Sequence, residues 1–382
     1  MDNFNPFSSS IQQKQEKIEA GIKSPKPEIS KTRDIDEELE EILSQKRASI
    51  KVVGVGGAGN NTITRMSEIG ITGAELIAIN TDAQDLLCSI ADKKILIGKE
   101  STAGLGAGAN PKVGEEAAKE SEAEIKKILT GADMVFVTCG LGGGTGTGAA
   151  PVVAELAKKQ GALVIAIVTL PFTVEGQKRI ENAQYGLERL ESIVDTLIVV
   201  PNDKLLELAP ELPLHTAFKV ADEILTNSVK GIAELITTSG LVNLDFADVK
   251  AVMSNGGVSL IGIGESDSSQ NRAIEAVERA INNPLLDVDI KNAQGALVNV
   301  IGGNDMSLDE YKVIMEALGN KIAQDAKIIS GAQISADMEK SIKVLLIVTG
   351  VRSSQILGSG SKSSSTAHDQ LEEELGIDFL ED

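Results

Sequence analysis

The sequence predicts an α/β fold in two parts: a parallel sheet with helices on both faces, then a long helix leading into a second, smaller α+β domain. Three observations carry this reading. Apolar runs of strand length alternate with helix-like segments through the first half. Glycine-rich stretches follow several of these runs, where sheets of this class bind ligands. A helical stretch longer than a crossover needs then separates the first alternating set from a second. A chain of 382 residues suits two domains.

Residues Met1 to about Lys31 are polar, rich in Ser, Gln and Lys, and read as a disordered tail. In DIDEELEEILSQKR, Ile35, Leu39, Ile42 and Leu43 share one helical face, so a short acidic helix completes segment 1–48. The first domain, 49–213, has strands expected at Ile50–Val55, Leu76–Asn80, Met134–Cys139, Leu163–Leu170 and Thr196–Val200. Helices such as Gly114–Leu129 and Val152–Lys159 lie between them. These strands are continuously apolar, as strands buried on both faces are. Phe218, Ala221, Ile224, Leu225, Val229 and Ile232 recur at helical spacing, predicting a central helix over Leu214–Thr237 within segment 214–239.

The second domain, 240–352, reads as strand Ser259–Gly264, helix Gln270–Asn282, strand Ala296–Ile301, helix Ser307–Ala323, and strands Lys327–Ile334 and Lys343–Thr349. Ser307 and Glu310 form a capping box. Segment 353–382 opens on SSQILGSGSKSSSTA, a flexible linker by composition, and closes on acidic LEEELGIDFLED.

Composition excludes several functions. Apolar residues make up 42% of the chain, with no Trp, two Tyr and seven Phe, so the cores are aliphatic. A net charge of −20 repels a phosphate backbone, which argues against nucleic-acid partners. It disfavours anionic membrane for the same reason. The longest apolar run, Ala162–Leu170, falls short of the ~20 residues that cross a bilayer, and the N-terminus lacks a secretory pattern. Cys88 and Cys139 suit a reducing cytosol rather than a disulfide scaffold. His215 and His368 are too few for a His-rich metal site. A soluble cytosolic protein is expected.

Three glycine loops carry the chemistry. The first, Gly54-Val55-Gly56-Gly57-Ala58-Gly59-Asn60-Asn61, fits GxGxxG between a strand and a helix. Alone it reads as a Rossmann-type dinucleotide loop or as a tight turn with no ligand, and no GK[ST] follows to make a P-loop. The second, Cys139-Gly140-Leu141-Gly142-Gly143-Gly144-Thr145-Gly146-Thr147-Gly148, follows another strand and opens another helix near Ala149-Ala150-Pro151. Its bare amides and two hydroxyls make a second anion cradle. A nicotinamide cofactor needs one such loop, whereas a nucleoside triphosphate can use two. The third, Ala103 to Pro111, includes Ala107, Gly108 and Asn110 and is placed to close over a γ-phosphate.

GGGTGTG, GVGGAGNN, Asn80-Thr81-Asp82, the T-L-P-F segment and the later N-L-D-F-A-D together resemble the FtsZ family, the tubulin-like GTPases of prokaryotic division, in register from about Ile50 to Val351. The acidic GIDFL terminus suggests the archaeal type. The resemblance implies a tubulin-like fold and GTP/GDP with Mg²⁺ as ligands. It also implies a head-to-tail homopolymer in the cytoplasm at the division site.

It further implies individual roles. Gly56, Gly57, Ala58, Gly59, Asn60 and Asn61, with Gly142, Gly143, Gly144, Thr145, Gly146, Thr147 and Gly148, would hold the phosphates. Glu175 and Arg179 would bind near the ribose; four apart, they also read as an i,i+4 surface pair. Asn202 would face the pocket or cap a helix. Phe218 would stack on the base, and its periodicity also suits a core position. Asp222 would accept from the two adjacent donors that guanine has and adenine lacks. Asn243, Asp245 and Asp248 would act on the nucleotide of the next subunit, with Asp245 and Asp248 polarising the attacking water. Dipole compensation at a helix start is the other reading of that pair. The terminal segment, with Ile377, Phe379 and Leu380 as anchors, would dock a membrane-tethering adaptor. Two other functions are weighed: a tubulin-like GTPase of cell shape or positioning, and an NAD-dependent oxidoreductase resting on the first loop alone.

Overall fold

The computed structural model describes residues 48–204, 214–237, 245–254, 256–283, 293–323 and 326–351, with Leu241, Leu285 and Ile290. The expected N-terminal tail and acidic helix, the linker, the terminal acidic segment and Asn243 lie outside these residues.

Ten strands form one sheet. Strands β1 (Ile50–Val55), β2 (Ala74–Asn80), β3 (Lys93–Leu96), β4 (Met134–Gly140), β5 (Leu163–Leu170) and β6 (Thr196–Pro201) run parallel in the order β3-β2-β1-β4-β5-β6. Strand β7 (Gly257–Ser266) continues the sheet, parallel to β6 from Thr196↔Gly257 to Ile198↔Ser259. Strand β10 (Ile342–Thr349) pairs antiparallel with β7 and with β8 (Gly295–Gly302), and β9 (Lys327–Ile334) lies parallel to β8 at the edge. The two alternating sets therefore share one sheet, through a β6–β7 pairing that no local pattern foretells.

Both faces of the sheet are buried, which explains the absence of polar alternation. In β5, Val164, Ala166 and Val168 enter one core while Leu163, Ile165 and Ile167 enter the other. The first core is covered by α3 (Pro111–Glu120), α4 (Glu122–Leu129), α5 (Thr145–Lys159) and α6 (Gln177–Ile193), and further along by α9 (Arg272–Ile281) and α10 (Leu308–Gly319). The second lies under α1 (Gly56–Ile69), α7 (Leu214–Thr237) and α8 (Phe246–Met253). The short α2 (Ala83–Cys88) follows β2.

Helix α7 spans the expected residues, and Leu225, Val229 and Ile232 are buried along it. The Ser307–Glu310 capping box is present at the start of α10. Two helices differ from expectation. Ser121 divides the expected Gly114–Leu129 segment into α3 and α4. Helix α5 opens at Thr145, ahead of the expected start, because its first turns are glycine-rich and Pro151 sits inside it. Both features lower helix propensity, but Gly148 has a packing reason. A Cβ there would stand 1.9 Å from the carbonyl oxygen of Pro111, so only glycine lets α5 lie so close to α3.

Candidate nucleotide site

Strand order reverses direction between β1 and β4, and ligands of open α/β sheets bind at such a switch, outside the carboxyl ends of the strands. The first two glycine loops leave the sheet there. Between them lies a cleft of about 330 Å³. The helix N-termini of α1 and α5 open on it, bringing unpaired N–H groups and partial positive charge. Arg179 is the only cationic side chain on its wall among the described residues, so anion binding rests chiefly on the backbone.

The glycines divide into two groups. Gly56, Gly57, Gly143, Gly144 and Gly146 line the cleft with Ala58, Asn61 and Thr145. Gly56 has φ +74°, and a Cβ on it would come 2.8 Å from the Gly146 nitrogen, so the two loops touch there. Gly59, Gly142 and Gly148 do not line the cleft. A Cβ on Gly59 would meet the Thr138 carbonyl at 2.6 Å, which makes it a packing residue of α1 against β4. Asn60 is buried in α1. The buried Thr147 hydroxyl accepts the Gly142 N–H at 2.9 Å and closes the second loop from within. Thr81 and Thr145 join their hydroxyls at 2.6 Å across the two halves of the site.

The third loop packs against the second. A Cβ on Gly144 would lie 2.8 Å from the Ala107 Cβ and 2.9 Å from the Asn110 nitrogen. Ala103 and Ala109 hold positive φ, 51° and 56°, a costly conformation for alanine. Ala107, Gly108 and Asn110 are not on the cleft wall, and the Asn110 side chain caps α3 by accepting from the Lys112 N–H.

On the opposite wall stand Glu175, Arg179, Asn202 and Asp222. Glu175 accepts the Phe172 N–H at 2.9 Å and pairs with Arg179, so the surface-pair reading is realised within the cleft itself. Asp203 accepts from the Thr173 N–H and hydroxyl, tying down the turn that carries Glu175. Asn202 is 5% exposed, and its Oδ1 has no hydrogen-bond partner within the described residues. A buried acceptor without a donor is costly, and a ligand in the cleft would supply one. Burial pushes the Asp222 carboxyl up to about 6, partly opposed by a hydrogen bond from Thr62. Phe218 lies one turn before it on α7, but its side chain is outside the described residues.

The wall also holds Val55, Gly140 and Leu141, which the sequence placed in the glycine loops without a contact role, and Thr169, Pro171 and Ala221, to which it gave no role at the site. Gly140 and Thr169 end or nearly end β4 and β5, so strand-end position was the signal for them. Asp82 caps α2 through the Gln84 and Asp85 N–H groups, which leaves the dinucleotide reading without a free ribose-binding acid.

Asp245 and Asp248 are elsewhere. Asp245 caps α8, accepting the Asp248 N–H at 2.8 Å, and both side chains are exposed. Helix α7 runs from Asp222 beside the cleft to Thr237, about 22 Å along its axis. Thr237 there donates to Thr72, just before β2 begins. After α8 the chain enters β7 opposite the first residue of β6. The two carboxylates therefore lie toward the amino ends of the strands and the cleft at the carboxyl ends. Neither is on the cleft wall.

Residues 49–210 match the GTPase domain of the Tubulin/FtsZ family and residues 257–352 the C-terminal domain of the FtsZ family. The chain is 63% identical over 338 residues to cell division protein FtsZ 1 of Thermococcus kodakarensis, covering 88% of this chain and 90% of that protein. It is 56% identical over 363 residues to cell division protein FtsZ of Methanothermobacter thermautotrophicus, covering 94% and 95%. The empty FtsZ dimer of M. jannaschii superposes with a TM-score of 0.79 at 60% identity, over 82% of this chain and 92% of that one. The GDP-bound CetZ1 monomer of Haloferax volcanii, at 23% identity and a TM-score of 0.72 over 84% and 99%, shares the fold.

Proposed function

The chain belongs to the Tubulin/FtsZ family and is a filament-forming GTPase of the cell-division type, and we propose that its hydrolytic site is shared between two copies joined head to tail. The observation that carries this is the separation of Asp245 and Asp248 from the cleft. Within one subunit neither is on the cleft wall. Placed over the cleft of the next, they would orient and deprotonate the attacking water. A heterologous contact of this kind, left unclosed, makes a filament. Leu105 and Val174, near the cleft, and Leu241, near Asp245, are large exposed apolar side chains suited to such a contact.

Within the cleft, the first two loops would hold the phosphates through backbone N–H groups. Glu175 and Arg179 would lie by the ribose, and Asn202 would take a donor from the nucleoside. Asp222 would accept from guanine, with Phe218 against the base. The third loop would close over the γ-phosphate. Among the described residues no cluster of three or more His, Cys, Asp or Glu could hold a metal. Mg²⁺ takes few protein ligands and binds mainly through substrate phosphates, so the loops that would hold the phosphates would hold it with them. When bound it would neutralise charge developing on the phosphates. Light scattering on the purified protein tests this reading. Scattering should rise with GTP or a non-hydrolysable analogue, decay only with GTP, and stay flat with GDP. Equal scattering with GDP would contradict it.

Among the described residues no helix is long and apolar enough to cross a membrane. We propose that the protein works in the cytoplasm at the division site and reaches the membrane through an adaptor. The adaptor would grip Gly376-Ile377-Asp378-Phe379-Leu380, whose acidic flanks suit a basic-rimmed apolar groove. Truncation after Ser365 should leave GTPase activity nearly intact and abolish membrane recruitment in cells. Normal recruitment of the truncated protein, with no full-length copy present, would contradict this.

A further inference from the structure

We infer that Asn182, on α6, is a positioning residue that locks the second and third glycine loops together and aims one amide of the phosphate cradle. Asn182 is 7% exposed. One Nδ2 group donates to two backbone carbonyls, Ala109 at 3.1 Å and Gly142 at 3.3 Å, one in each loop. Both acceptors lie in conformations that cost energy to hold or favour glycine, with φ +56° at Ala109 and +101° at Gly142. A single amide thus braces the two loops at the points where each is least able to hold its own shape.

The consequence follows from the planarity of the peptide bond. In a trans peptide the carbonyl and the following N–H point in opposite directions. The Gly142 carbonyl is turned toward Asn182, so the Gly143 N–H is turned away from it, and Gly143 lines the cleft. The Gly142 N–H is held on its other side by the Thr147 hydroxyl. Gly143 is open on the side where a Cβ would stand, with no heavy atom beyond its chain neighbours within 4 Å of that point among the described residues. Asn182 therefore holds the peptide plane that presents this donor, and Thr147 holds the preceding plane, on the other side of the Gly142 Cα. The Ala109 bond does the corresponding service for the third loop, holding it against Gly144.

This inference rests on the nucleotide reading above, in which the third loop closes over the γ-phosphate. A nucleoside triphosphate then needs both loops, and a diphosphate depends less on their alignment. The test is the binding of a non-hydrolysable GTP analogue and of GDP to the full-length wild type, Asn182→Ala and Asn182→Leu. The leucine keeps about the size, loses both donors and adds no charge, so it covers the case in which the cavity left by alanine prevents folding. Each variant should bind the analogue at least about tenfold more weakly than wild type, with GDP affinity changed less than about threefold. Melting temperature without nucleotide should stay within about 2 °C. A parallel fall in both affinities would make Asn182 a general structural residue, and no change in either would make it irrelevant; both outcomes overturn the assignment. Wild type that binds neither nucleotide would instead overturn the reading of the cleft, and this inference with it.

Discussion

Asp245→Ala or Asp248→Ala should lower GTP turnover by about 10²–10⁴-fold, the range over which a positioned acid–base group acts. GTP affinity should change little, because neither carboxylate touches the cleft of its own subunit. Asp245 also caps α8, and losing a cap costs about 1 kcal/mol. Asp245→Asn separates the two roles, since asparagine caps a helix as well as aspartate but is no base. Turnover should collapse in Asp245→Asn with melting temperature preserved. Near-normal steady-state hydrolysis in that variant would remove Asp245 from the chemistry.

Asp222→Ala should weaken GTP binding by about tenfold to a hundredfold, the effect of leaving guanine's two donors without an acceptor. A pH dependence should accompany it. Burial raises the Asp222 carboxyl to about 6 in the free protein, and only the ionised form accepts both donors. Affinity should therefore be level above that pH. As pH falls below it, GTP must expel a proton to bind, and affinity should drop by up to about tenfold per unit. Asp222→Asn should flatten the profile. Titrations between pH 5 and 7.5 read this directly, and a wild-type affinity constant over that span would contradict the assignment.

The glycine loops of the cleft were legible because glycine leaves a sequence signature wherever a backbone must approach an anion or another backbone. The signature does not say which of these a given glycine does. Gly56 and Gly148 look alike in sequence, yet one lines the cleft and the other lets α5 lie on α3. Nine of the ten strands were legible through their apolar runs and α7 through its period, but β3 was not, because it is four residues long and opens on two lysines. Asn182 was not, because an asparagine within a helical segment carries no mark of the two carbonyls it meets. Its partners lie 73 and 40 residues away in the chain. The pairing of Thr62 with Asp222 spans 160 residues and was hidden for the same reason. The early start of α5 was hidden by propensity, which its packing overrides.

The remoteness of Asp245 from the cleft is the feature on which the functional account turns, and mixing two deficient proteins tests it most directly. On this account Asp222→Ala should present intact carboxylates but bind GTP poorly, whereas Asp245→Asn should bind GTP but lack the base. The GTP concentration is set to saturate only the second. A shared site predicts that the mixture hydrolyses GTP faster than the sum of the two proteins alone, with a maximum at intermediate ratios. Activity equal to that sum at every ratio would mean that each subunit carries a complete site, and would contradict the account.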